Sequence, residues 1–402
     1  MAQVGSITDV AALMPGAERF DSTGGAIASW VRETYSRSKH STLVASPRAT
    51  ESFAAPVPIA NVRLYDAYER VLSSTSRLLA PRIGKSFQVV YNRLLWDRLW
   101  VRSAYRRIRE AKLIHIHNRP HYARELREAG FTGAVILHMH NDLRTYVTMD
   151  ESAEVFSHID YVAFCSDFVR DRAVESFPAL PPSAVVANGV SRSQIDRRVE
   201  RQPSATLRLI YAGRIIPEKG PLEAVAICGE LRRRGIKANL DLVGGTGTGS
   251  ENGPTQYLSQ VEAAVSALNR REGDTVARFL GPRPHDEVFD LFAANDIFLL
   301  PCSWEEPFGM VALEAMAKGC VPVVSDRGGL PDVVQDGGVA VRIPEDQREV
   351  PVVFADAIER VNTPDDLTRL RACGWNRAEQ LTWESVATSF DDLIEIALRA
   401  VS

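Results

Sequence analysis

Residues 296–325 read DIFLLPCSWEEPFGMVALEAMAKGCVPVVS. Two apolar runs, 296–300 (DIFLL) and 320–325 (CVPVVS), bracket a stretch of helical pattern. The runs are apolar throughout rather than alternating, which suits strands buried on both faces of a parallel sheet. A strand, a helix and a second strand in that order form a βαβ crossover. The segment from Glu306 to Glu314 therefore leaves the carboxyl end of a strand and enters a helix. In open α/β sheets, ligands bind at that end.

The same pattern extends outward in both directions. Strands are expected at 207–212, 238–243, 276–280 and 338–343 in the second half, and at 7–14, 41–46, 112–117, 133–139, 160–165 and 183–187 in the first. After Gly220, Leu222, Val225, Ala226 and Gly229 fall at i, i+3, i+4 and i+7, one face of a helix. Strand–helix alternation in each half predicts two doubly wound, Rossmann-like α/β domains. The length, 402 residues, also predicts two domains, since one domain typically takes ~100–200. The expected division is 1–190, a polar linker at 191–206 (SRSQIDRRVERQPSAT), and 207–384. Residues 374–402 predict a helix pair with Trp383, Val386, Phe390, Leu393 and Ile394 on one apolar stripe.

Composition excludes several classes. A net charge of −4 gives no global reason to expect nucleic-acid binding. Five cysteines form no C-x-x-C pair, so free thiols in a reducing cytoplasm are expected. No apolar run approaches the ~20 residues of a membrane-spanning helix, and residues 1–16 lack the basic and apolar regions of a signal peptide. One segment departs from the average. Residues 62–112 hold twelve Arg or Lys against four Asp or Glu, with Phe87, Tyr91, Trp96, Trp100 and Tyr105 interleaved. Such a stretch can lie on an anionic membrane surface or embrace a phosphorylated acceptor. The alternative is a solvated helix that packs its aromatics on the first sheet.

Two motifs carry chemistry. In Glu306-Pro-Phe-Gly-Met-Val-Ala-Leu-Glu314, the first helical turn near Phe308, Gly309 and Met310 has N–H groups without intrahelical partners. With the helix dipole, these donors suit a diphosphate or sugar oxygens, and Gly309 lets a ligand approach the backbone. Glu306 and Glu314 could each grip a diol. Taken singly, they could equally be a dipole-favoured and a solvated glutamate. The second motif is Tyr211-Ala-Gly-Arg-Ile-Ile-Pro-Glu-Lys-Gly220. It places Arg214 and Lys219 in the loop after Gly213, where two cations can neutralise a departing pyrophosphate. The alternative is an ordinary exposed pair. His115/His117 and His138/His140 have the His-x-His spacing of metal ligands, but no carboxylate or cysteine set accompanies them, so no metal is expected. A dinucleotide fingerprint, a P-loop and a G-x-S-x-G elbow are all missing.

These motifs resemble glycosyltransferase family four, with its GT-B fold, and within it the bacterial enzymes of lipopolysaccharide core and other surface polysaccharides. The resemblance is specific from about 207 to 340 and looser before, where HIHNRP, HMHN and VVANGV carry it. It implies two Rossmann-like domains facing across a cleft, with the last helix (385–402) returning to the first domain. It implies a retaining hexosyltransferase that needs no metal and no cofactor beyond its nucleotide-sugar cosubstrate. By this resemblance, Arg214 and Lys219 hold the diphosphate, Glu306 the transferred sugar, Glu314 the ribose, and the Phe308–Met310 backbone both sugar and phosphate. Gly24 and Gly25 match a glycine loop over the phosphates, and His140 a histidine near the donor sugar. His117, Asn118 and Asn141 are expected on the acceptor side. The expected partners are a UDP-linked rather than GDP-linked sugar and a saccharide or lipid-linked acceptor, with no nucleic acid. The expected place is the cytoplasm, at the inner face of the membrane if 62–112 touches it. Two other readings stay open: a GT-B nucleotide-sugar enzyme of another reaction, such as an epimerase, and a catalytically silent nucleotide-sugar-binding protein.

Overall fold

The computed structural model describes residues 8–16, 18, 20, 25–46, 57–61, 97–197, 204–247, 253 and 255–401. The chain divides into two compact units, Met1–Ala187 with Val386–Ser402, and Asn188–Ser385. Thirteen strands occur among the described residues, and every named pairing is parallel.

The first unit holds strands β1 (Val10–Leu13), β2 (Thr42–Ser46), β3 (Ile59–Asn61), β4 (Leu113–His117), β5 (Ala134–Met139), β6 (Tyr161–Phe164) and β7 (Ser183–Val185). Their order is β3-β2-β1-β4-β5-β6-β7. The strand order reverses between β1 and β4, the switch point of a doubly wound sheet. Six of these strands lie where the apolar runs predict them. The seventh, β3, was not expected. It has three residues, pairs among the described residues with β2 alone, and follows Pro58, so it carries too little pattern to be read. The helices of this unit are α1 (Ala26–Tyr35), α2 (Asp97–Ile108), α3 (Tyr122–Glu128), α4 (Met149–Phe156) and α5 (Asp167–Ser176).

Of the basic, aromatic stretch, 62–96 lies outside the described residues, with Phe87, Tyr91 and Trp96 in it. The described part is α2. There Trp100 is fully buried and its indole N–H donates to the Met14 carbonyl at 2.9 Å. Tyr105 meets the Phe131 ring edge-on, and Arg98 pairs with Glu125 and Glu128. These two aromatics pack on their own unit. Among the described residues, no helix is long and apolar enough to cross a membrane.

The second unit holds β8 (Leu207–Ala212), β9 (Ala238–Val243), β10 (Ala277–Gly281), β11 (Ile297–Leu300), β12 (Val321–Ser325) and β13 (Val339–Val341), in the order β10-β9-β8-β11-β12-β13. All six lie within one residue of, or inside, the predicted runs. Its helices are α6 (Pro221–Arg233), α7 (Gln256–Glu272), α8 (His285–Ala294), α9 (Met310–Ala317), α10 (Leu330–Val334), α11 (Val350–Val361) and α12 (Pro364–Gln380). The apolar face of α6 is wider than the spacing predicted. Ala224, Val225, Ile227, Cys228, Gly229 and Leu231 are buried, while Ala226 is exposed. The helix is covered on one side by the sheet and on others by α7 and α11, so more than one stripe is enclosed.

The stretch 191–206 was expected as linker, yet 188–197 belongs to the second unit. Backbone bonds rather than apolar side chains hold it: Val190 N–H to Leu381, Trp383 N–H to Val190, and Asp196 N–H to Ala317, all at 2.9–3.0 Å. The last helix, α13 (Trp383–Ala400), buries Trp383, Val386, Phe390, Leu393 and Ile394, the predicted stripe.

Candidate active site

In the second unit the strand order reverses between β8 and β11. The loops after these two strands are the two motif segments, so the topology brings them together at the sheet's carboxyl edge. Gly213 ends β8 by donating its N–H to the Val243 carbonyl. The buried Tyr211 hydroxyl donates to the Arg214 carbonyl at 2.8 Å, which fixes the turn. Burial pushes that phenol well above its ordinary range, so it stays a neutral donor. A short 3₁₀ turn, Pro217–Lys219, follows. Its Glu218 carbonyl accepts from the N–H groups of Ser303 and Trp304, which stitches the loop after β8 to the loop after β11.

The stitch brings Lys219 onto Glu306. The ammonium and the carboxylate form an ion pair, with both side chains largely shielded from solvent. Sequence reasoning gave them separate ligands; the structure joins them to each other. A shielded pair of this kind holds two charges in fixed positions that a polar ligand can enter and share. Arg214 is exposed and forms no ion pair among the described residues.

The backbone at Glu306 is clamped as well. The Gly329 N–H donates to the Glu306 carbonyl at 2.7 Å. Gly328 has φ +66°, and a Cβ there would lie 2.1 Å from that carbonyl oxygen. Gly309 has φ +99° and begins α9; a Cβ there would lie 2.4 Å from Leu330 Cδ2. Both positions need the left-handed backbone that side chains disfavour. Phe308 is buried and Met310 half-buried, so what this turn offers outward is its backbone N–H groups.

Glu314, in the second turn of α9, is buried, and its carboxylate lies 3.0 Å from His285 Nε2 at the start of α8. Sequence reasoning missed His285. Its only signal was a lone histidine after Pro284, with its partner 29 residues away. Also missed was Cys302, whose thiol sits 3.0 Å from the Ser325 hydroxyl; burial raises its pKa and so favours the neutral thiol. Arg327, in the same SDRGG segment as the glycine clamp, has a buried Nε without a partner among the described residues.

In the first unit, Gly24 lies outside the described residues. Gly25 precedes α1, and its N–H donates to the Glu18 carboxylate, whose pKa burial nevertheless raises. His140 is 9% exposed, and burial lowers its pKa to about 3, so its imidazole is neutral. Its Nε2 lies 3.0 Å from Nδ1 of His117, which is fully buried. Asn118 holds φ +51° at the end of β4, and its side-chain oxygen accepts from the His140 N–H at 2.7 Å. Asn141 donates weakly to the Tyr146 hydroxyl at 3.3 Å. His117 and Asn118, expected on the acceptor side, thus each place one polar atom, Nδ1 and Oδ1, in a bond within the unit.

Two doubly wound units, of strand order 3-2-1-4-5-6-7 and 3-2-1-4-5-6, the second with cation, carboxylates and helix start gathered at its switch point, define the GT-B class of fold. A solved trehalose-6-phosphate protein from E. coli, bound with UDP-2-fluoro glucose, superposes with a TM-score of 0.70 at 13% identity, over 96% of this chain and 99% of that one. Residues 193–367 match the family model described as glycosyl transferases group 1. That match lies wholly within the second unit.

Two curated relatives show the range. The lipopolysaccharide 1,2-N-acetylglucosaminetransferase of Salmonella typhimurium is 26% identical, over 76% of this chain and 81% of that protein. The D-inositol 3-phosphate glycosyltransferase of Corynebacterium efficiens is 33% identical, over 64% of this chain and 57% of that protein. The chain spans 44–65% of the length of most of the curated relatives it matches.

Proposed function

We propose that this protein transfers a hexose or N-acetylhexosamine from a nucleotide sugar, UDP-linked rather than GDP-linked, to a saccharide or lipid-linked acceptor, with retention at the anomeric carbon. One observation carries the reading: Lys219, Glu306 and the N-terminus of α9 meet at the switch point of the second sheet. The group 1 match and the glycosyltransferase names of the relatives support it.

In this reading the donor diphosphate takes the N–H groups at the start of α9, with Lys219 and Arg214 balancing the charge that builds as the sugar–phosphate bond breaks. These groups do the work of a divalent cation, so added Mg²⁺ or Mn²⁺ does not raise the rate. Glu306, released in part from Lys219, accepts from hydroxyls of the sugar. Glu314, held by His285, accepts from the ribose diol. Transfer proceeds by front-face attack through an oxocarbenium-like transition state, with a donor phosphate oxygen taking the acceptor proton. The name of the lipopolysaccharide relative favours an acceptor in bacterial lipopolysaccharide synthesis over one in exopolysaccharide synthesis; the reading places the reaction in the cytoplasm, at the inner face of the membrane.

The test is a thermal-stability screen of the purified chain against UDP and GDP sugars, since a ligand that binds the folded state raises the melting temperature. The stabilising donor is then incubated with truncated lipopolysaccharide and oligosaccharide acceptors, and product is scored by mass and anomeric configuration. Transfer with retention supports the reading. Stabilisation with turnover of the donor alone, by isomerisation, replaces it with an epimerase.

A further inference from the structure

The first unit contains a feature that the glycosyl-transfer reading does not use. His115 and His117 on β4 and His138 and His140 on β5 all face the same side of the sheet, because i and i+2 residues share a face and β4 pairs with β5 so that His117 stands opposite His138. All four are buried. Trp30 of α1 lies among them, its ring 4.6–6.0 Å from each imidazole centroid.

Each ring spends one nitrogen. His115 Nδ1 meets the Tyr35 hydroxyl at 3.1 Å, His117 Nδ1 meets His140 Nε2 at 3.0 Å, and His138 Nε2 meets the Val186 carbonyl at 3.1 Å. The other nitrogens, His115 Nε2, His117 Nε2, His138 Nδ1 and His140 Nδ1, are buried without partners among the described residues. Buried polar atoms are rarely left so, and four in one cluster call for a ligand. One ring nitrogen from each of His115, His117 and His138 lies within 4.8 Å of those of the other two.

We propose that His115, His117 and His138 bind one zinc-class divalent ion inside the first unit. Neutral imidazoles are the form that ligates, and burial lowers the pKa of all three, keeping them neutral. Zinc holds imidazole nitrogens at ~2.0–2.1 Å, so a tetrahedral site places them ~3.4 Å apart. Small ring rotations close the present gap. The second nitrogen of each ligand is already held by a hydroxyl, an imidazole or a carbonyl, the outer contacts that orient metal-bound histidines. Binding fixes His138 as the tautomer that donates to Val186, and His117 as the one that donates to His140. The expectation of no metal rested on the lack of a carboxylate or cysteine set beside either His-x-His pair. The β4–β5 register supplies the third ligand that neither pair has, with no carboxylate or cysteine required. The ion ties β4 to β5 and takes no part in the transfer reaction.

The test uses the full chain without an affinity tag, expressed with zinc in the medium, desalted and assayed by elemental analysis. About one zinc per chain is expected. His138→Gln and His115→Gln, checked for folding by circular dichroism, are expected to retain more than about tenfold less. Wild-type protein stripped by a chelator and reloaded with Co²⁺ is expected to show visible ligand-field bands of four-coordinate cobalt. This measurement decides the matter should the variants fail to fold. Wild type with only a small fraction of an equivalent of zinc and no such bands overturns the proposal, as does equal retention in folded variants. A catalytic reading is tested separately, because none of these measurements uses a sugar donor.

Discussion

The two units wind their strands in the same order but furnish their switch points in opposite ways. Between β8 and β11 the second unit sets opposite charges, Lys219 and Glu306, at the start of a helix, where the first N–H groups have no intrahelical partners. Beside the switch between β1 and β4 the first unit sets neutral rings: four buried histidines around Trp30, with Tyr35 and Phe390 stacked alongside. One topology thus accommodates a polar, ligand-ready edge and an aromatic, closed one. The difference lies in which residues follow the strands. Glycines and charged side chains after β8 and β11 leave backbone free, whereas ring-bearing residues at the ends of β4 and β5 fill the space.

That contrast can be broken at its strongest point first. Trp30→Ala empties the middle of the histidine cluster and is expected to cost the first unit about 3–5 kcal/mol. Urea denaturation followed through near-ultraviolet dichroism measures it; a loss below about 1 kcal/mol would show that the rings do not form a packed core. Next, Lys219→Ala in the second unit is expected to lower kcat by ~10²–10³ with little change in acceptor KM. Steady-state kinetics on the donor found by the stability screen decides, and an unchanged kcat removes Lys219 from leaving-group stabilisation.

Gly328→Ala sharpens the comparison at the backbone. The new Cβ meets the Glu306 carbonyl and also needs a left-handed backbone, which costs about 1–2 kcal/mol. Expected are a lower melting temperature and a weaker donor stabilisation together; a fall in melting temperature alone would mean that the clamp does not position Glu306. The smallest effect is His285→Ala. Its ring is 62% exposed, so losing its bond to Glu314 is expected to weaken nucleotide-sugar binding by about fivefold, roughly 1 kcal/mol. Titration calorimetry with nucleotide and with nucleotide sugar checks it, and equal affinities in variant and wild type would leave His285 as a bystander.

The parallel strands were legible because burial on both faces makes them continuously apolar, a signal that survives in a single sequence. The short edge strand β3 lacked that signal. At the candidate site, the places of Gly309, Lys219, Glu306 and Glu314 in the fold could be read because each sits at a fixed distance from a strand end or a helix start. Their pairings could not. Lys219 and Glu306 are 87 residues apart, and only the switch-point topology brings them together. The histidines show the same limit. His-x-His spacing reveals that two rings share a strand face, but the register that sets His117 opposite His138 is a property of the sheet. Asn118 shows a related limit: neither its left-handed backbone nor its bond to the His140 N–H can be read from a polar residue at a strand end.

The division of the chain has a consequence for how the protein is made. The second unit is one uninterrupted segment, 188–385, while the first is assembled from residues at both ends of the sequence. Domains tend to fold as they leave the ribosome, amino-terminal ones first. Here the order inverts: the unit that emerges first waits for Phe390, whose ring lies 5.2 Å from Trp30 and 4.5 Å from His115, and is completed last. Until α13 arrives, the side of the cluster that Phe390 covers, at Trp30 and His115, lacks its ring.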